Sequence, residues 1–123
     1  MRKLILGVVL VTLPLGALQA MNVAVFMQKA DALEKKGMGA LFTGDYRLLK
    51  REVEGSTRAL RTERLAAVQA GRRPAYCPPP RSGIKSDEIL ASFRAIPADQ
   101  RPRTEVVDAL RTLLTRKYPC RGA

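Results

Sequence analysis

From Val23 to Lys36, the apolar residues Val23, Phe26, Met27, Ala30 and Leu33 recur at steps of three and four. That spacing places them on one side of a helix, and Gly37 supplies its stop. The segment Gly37 to Asp45 carries three glycines around Leu41 and Phe42. It reads as a connection whose two large side chains dip into the core, with Asp45 as the N-cap of a second helix. That helix is expected from Tyr46 to about Ala70. Leu49, Val53, Leu60 and Ala67 share a narrow arc there with Ser56 beside them, a buried stripe thinned by small residues.

Gly71-Arg72-Arg73-Pro74 ends that helix, and Cys77 opens a run through Pro78, Pro79 and Pro80 to Gly83. Three successive prolines lack amide hydrogens and fix φ, so this stretch is a stiff extended crossing. Ser86 is the expected cap of a third helix, with Asp87 and Glu88 in its first turn, Ile89, Phe93 and Ile96 on its inner side and Pro97 as its end. A polar loop, Ala98 to Arg103, leads to a last helix from Thr104 to Lys117. Val106, Val107, Leu110, Leu113 and Leu114 there cover an arc of about 120°. Thr104 is its expected cap, and Glu105 in the first turn with Arg116 and Lys117 in the last agrees with the backbone dipole. No run shows strand alternation. The expectation is an all-α fold, a small bundle of about four helices.

The N-terminus changes the setting in which this bundle is placed. Arg2 and Lys3 precede an apolar stretch from Leu4 to Leu18, followed by Gln19 and Ala20. That order is a cleavable secretory signal peptide over residues 1–20, leaving a domain over 21–123. A spanning helix needs about twenty apolar residues, and this stretch is shorter and broken by Pro14 and Gly16. The location expected is therefore periplasmic or secreted.

Export gives the two cysteines a default. Cys77 and Cys120 both lie at element ends, and in an oxidising compartment a bridge between them is expected. Closing a loop of about 44 residues restricts the unfolded chain by roughly 4 kcal/mol on the loop-entropy account. A structural zinc site needs four ligands, and the chain has no histidine and no third cysteine.

Charge narrows the function further. The chain holds 22 Lys and Arg against 11 Asp and Glu, and loss of Arg2 and Lys3 leaves a mature excess of +9. Such an excess attracts acidic protein faces or anionic envelope polymers and lipids. Nucleic acid is not an expected partner once the chain is exported. On the second helix Arg47, Lys50, Arg51, Arg58 and Arg61 gather about a third of a turn from the buried stripe, diluted by Glu54. Two readings of that face stay open, a solvated surface and a docking face for an acidic partner. Without histidine the usual general base and the activator of a serine nucleophile are missing. No carboxylate pair asks for glycoside hydrolysis, and Gly37, Gly39 and Gly44 lack the Lys and hydroxyl of a phosphate-cradling loop. A noncatalytic binding role without cofactor or metal is expected.

The order of features carries a resemblance: an exported leader, a helix, the turn Phe42-Thr43-Gly44, a long helix, Cys77-Pro78, two shorter helices and the terminal Lys117-Tyr118-Pro119-Cys120. It resembles the Rap/Tai family of periplasmic immunity proteins. The resemblance implies a small helical protein that binds and blocks a peptidoglycan amidase effector delivered by type VI secretion. It implies a one-to-one or dimeric complex with that enzyme, and a homodimer is a further expected assembly. The chain departs from the family where members carry additional cysteines and a glycine-aromatic pattern in the second helix. Leu49, Arg51, Val53 and Glu54 stand there, with Gly55 followed by Ser56.

Overall fold

The computed structural model describes residues 20–121. The expected leader lies outside the described residues apart from Ala20. Four α-helices carry the fold: α1 (Val23–Lys36), α2 (Gly44–Gln69), α3 (Ser86–Arg94) and α4 (Val106–Lys117). Short 3-10 turns at Gly37–Phe42 and Arg101–Arg103 join α1 to α2 and α3 to α4. The described residues are all-α, with no β-strand among them and one disulfide, Cys77–Cys120.

The long helix α2 packs against α1 and α4, and α3 closes the core between α1 and α4. The periodicities read from the sequence meet there. Val23, Phe26, Met27, Ala30 and Leu33 of α1, Leu49 and Leu60 of α2, Ile89 and Phe93 of α3, and Val106, Leu110 and Leu114 of α4 form one buried cluster. Phe26 and Phe93 meet edge to face with centroids 5.1 Å apart, an arrangement favoured by the ring quadrupoles. Three members of the cluster lie outside the positions that the sequence patterns pick out: Ala40 in the 3-10 turn, Tyr76 just before the proline crossing, and Ala109 of α4, which lies on the same arc as Val106 and Leu110.

Several expected details are corrected. Leu41 and Phe42 do not enter the core; Phe42 is 83% exposed and Leu41 47%. The segment is a 3-10 turn with three residues per turn, so Ala40 faces inward and Met38 and Leu41 fall together on an outward edge. The cap of α2 is Thr43 and not Asp45. Thr43 has an extended backbone, and its Oγ1 accepts from the Tyr46 N–H at 3.2 Å. Asp45 is already helical and instead accepts from Lys29 Nζ at 3.1 Å, tying α2 to α1. Ser86 is the first residue of α3, with Lys85 as a cap that makes no side-chain bond. That helix ends at Arg94, a little ahead of Pro97, where Arg101 donates to the carbonyls of Arg94 and Ile96; Ile96 still packs against the core.

The start of α4 also departs from the expected arrangement. Thr104 is not its cap; Glu105 holds that position without a side-chain bond. Met21 to Val23 runs antiparallel to Thr104 to Val106 as an isolated bridge, with Val23 N–H donating to Thr104 O at 2.8 Å and Val106 N–H donating to Met21 O at 2.9 Å. The first orphan amide of α4 is thus satisfied by the Met21 carbonyl just ahead of α1. Asn22 meanwhile caps α1, accepting from Val25 N–H at 2.9 Å.

The proline crossing is held from the other side. The sulfurs of Cys77 and Cys120 are bonded across a sequence separation of 43, Cys77 N–H donates to Tyr118 O at 2.8 Å, and Arg73 donates to Cys120 O. Reduction, or the double change Cys77→Ser and Cys120→Ser, is expected to lower unfolding free energy by about 2–4 kcal/mol. Thermal melts with and without reductant check this. An unchanged Tm would mean that the disulfide contributes nothing to stability.

Gly37 closes α1 at φ 61°, ψ −137°, a region that residues with a Cβ avoid. Nothing lies within 4 Å of a Cβ built there, so the cost of Gly37→Ala is backbone strain and not a clash. A loss of about 1–3 kcal/mol is expected by urea denaturation, against a near-zero effect at Gly39→Ala.

Candidate partner-binding surface

The five basic residues singled out on α2, Arg47, Lys50, Arg51, Arg58 and Arg61, are all exposed. The helix brings them to one side, away from Leu49, Ser56 and Leu60. Lys50 lies 4.0 Å from Glu54, at the limit of an ion pair. Arg47, Arg51, Arg58 and Arg61 form none among the described residues. Leu65 and Val68 continue the same face toward the end of α2, 43% and 54% exposed.

A few other cations join elements. Arg94 bonds Glu34 at 2.7 Å and Asp31 at 3.4 Å, joining α3 to α1. Arg111 bonds Asp108 on its own helix and Glu63 across on α2. The hydrogen bond from Arg94 to Glu34, and that from Arg111 chiefly to Asp108, push both guanidinium groups above their ordinary range. Lys117 donates to Glu88 at 2.7 Å and to the Gly83 carbonyl at 3.0 Å, and Tyr118 Oη donates to the same carbonyl at 3.0 Å. Lys29, Arg94, Arg111 and Lys117 thus join elements, whereas the α2 cations cluster on one exposed helix face.

Beside the α2 face, between that helix and the proline crossing, opens a cleft of about 710 Å³. Arg61 lies on its rim and so belongs to both the face and the cleft. Arg64 and Arg81 complete a set of three guanidinium groups, and no acidic residue lines the cleft. Neither of these two arginines stood out in the sequence. Arg64 falls within a turn of Leu60 on the border of the buried stripe, where a long side chain reads as a helix flank. Arg81 follows three prolines, and nothing local says which helix it will face. The signal available was the i, i+3 spacing of Arg61 and Arg64.

No cluster of His, Cys, Asp or Glu able to hold a metal occurs among the described residues. No helix among them is long and apolar enough to cross a membrane. Compared with protein-family models, curated proteins and solved structures, the chain matches none. Residues and geometry therefore carry the functional reading.

The pair Glu88–Lys117 anchors the loop that bears Arg81, and its titration is testable. The hydrogen bond from Lys117 holds the Glu88 carboxyl below its ordinary 4.5, and the reciprocal bond holds Lys117 above 10.5. A depressed carboxyl contributes stability that is present above 4.5 and is lost as pH falls through the folded value. A raised amine contributes stability that is present below 10.5 and is lost as pH rises through its folded value. Glu88→Gln is expected to flatten both limbs of a plot of urea midpoint against pH. It should also speed amide exchange at Ser82 to Ile84 at neutral pH. Identical pH profiles for variant and parent would show that the pair does not hold the loop.

Proposed function

We propose that the chain is an exported, noncatalytic binding protein that uses the outward basic face of α2 to dock on an acidic partner. The observation that carries this is the clustering of exposed cations on one side of α2. Four of the five face cations make no ion pair among the described residues, while Lys29, Arg94, Arg111 and Lys117 each bridge two elements. Unpaired charges on one rigid helix attract and orient a partner of opposite sign.

The resemblance to the Rap/Tai proteins names that partner: a secreted cell-wall amidase, blocked in the periplasm of the cell that makes it. A disulfide-tied helical bundle is compatible with that class and that compartment. The partial burial of Met21, whose carbonyl satisfies Val106 N–H, supports a domain that starts at this residue. Envelope polymers or lipids are a second acceptor for the same basic face, and Leu65 and Val68 beside it favour that reading.

The test is recovery of partners from envelope extracts by the native protein and by a variant with Arg47→Glu, Arg51→Glu and Arg58→Glu. The native protein should recover an amidase and protect cells from the toxin of a neighbouring gene; the variant should lose recovery by at least about tenfold. Recovery of polymer or lipid alone, weakening steeply as salt rises, would transfer the face to the envelope reading. Repeated recovery of nothing, with no protection, would end the immunity reading.

A further inference from the structure

The cleft between α2 and the proline crossing differs from the open face of the helix. Its wall on one side is Pro78, Pro79 and Pro80, which offer no backbone N–H, so hydrogen-bond donors must come from side chains. Ile84, Val53 and Leu114 supply apolar lining. Over this floor stand Arg61, Arg64 and Arg81, with no carboxylate to neutralise them.

Two of the three arginines show features that their own packing does not account for. Arg64 lies over the Tyr76 ring, its guanidinium carbon 5.6 Å from the centroid, and its Nε is buried without a hydrogen-bond partner. A buried N–H left unsatisfied by protein is uncommon and calls for an outside acceptor, a water or a ligand group. Arg81 has φ 61°, and it is the non-glycine residue with positive φ among the described residues. Glycine would adopt that turn at no steric cost, yet an arginine stands there, and strain of this kind gathers at binding sites. The loop is not loose, since Lys117 Nζ and Tyr118 Oη both donate to Gly83 O. The guanidinium of Arg81 is thus carried by an anchored turn.

From this juxtaposition we infer that the cleft is a binding site for an extended acidic peptide segment, with two or more carboxylates on Arg61, Arg64 and Arg81 and an apolar side chain against Pro79 and Ile84. Guanidinium groups recognise carboxylates through paired N–H donors, and a groove with apolar walls suits a peptide better than a phosphate group alone. The inference rests on the reading of the chain as a docking protein for an acidic partner. It says where that partner's chain enters.

The probe is a short capped peptide alternating Glu with Leu, beside its Gln counterpart, titrated into the oxidised protein and followed by nuclear magnetic resonance. The Glu peptide should bind at least about tenfold tighter than the Gln peptide. It should shift the Arg64 Nε–H signal and the amides of Arg81 to Gly83. Arg64→Gln and Arg81→Gly should each weaken binding by about tenfold, and Arg103→Gln, outside the cleft and the face, should leave it within about twofold. Arg81→Gly also guards against trivial unfolding, because relief of the positive φ should keep its Tm at or above that of the parent.

Equal binding of both peptides, shifts that avoid Arg64 and Arg81, or unchanged affinity in Arg81→Gly would overturn the inference. So would stronger shifts at the same atoms from phosphatidylglycerol vesicles, which would make the site one for lipid phosphate. The two readings fail separately. Loss of the amidase in the Arg47, Arg51 and Arg58 variant alongside a peptide that ignores the cleft sinks only the cleft. Recovery of no amidase alongside peptide binding in the cleft sinks only the named partner.

Discussion

The bond between Cys77 and Cys120 holds together the two parts of this protein least able to hold themselves. A run of three prolines makes no backbone donations, so regular hydrogen bonding cannot seat it against a helix. The C-terminal tail after α4 is likewise without a further element to pin it among the described residues. Joined to one another, and stitched by Cys77 N–H to Tyr118 O and by Arg73 to Cys120 O, they become a rigid wall along α2. The cleft exists because that wall stands off from the helix. Buried Tyr76, next to Cys77, fills the core just behind the crossing and offers its ring to Arg64.

A second constraint acts at the opposite end. Backbone pairing of Met21 to Val23 with Thr104 to Val106 fixes where α1 and α4 begin, so both helices start from one short bridge. With its ends held at two places, the bundle needs only a modest core, and that core is built from residues at helical spacing. Exposed ion pairs such as Arg94 with Glu34 orient the helices more than they stabilise them, because water screens such charges.

Much of this was legible in the residues. The inner positions of α1, α3 and α4 could be picked out because a 3.6-residue period reports directly on which side is buried. The pairing of Cys77 with Cys120 followed from their number and from their positions at element ends. Caps were harder to read. Thr43 and not Asp45 begins α2, because the choice depends on which residue keeps an extended backbone. Thr104 looked like a cap but is drawn into pairing with Val23. Leu41 and Phe42 looked like core residues by composition, and a 3-10 turn, with a different period from the α-helix, sends them outward.

The amino-acid order by itself determined an all-α chain, the faces of its helices, the covalent tie and the row of cations on α2, since each rests on local periodicity or on simple counting. The tertiary structure decided which cations are free and which join elements, because ion pairing depends on neighbours distant in sequence. It also decided that Arg61, Arg64 and Arg81 share one acid-free cleft. Arg81 lies beyond a turn and a proline run from the other two, and no rule of spacing predicts the path of such a crossing; the disulfide and the Gly83 anchor set it.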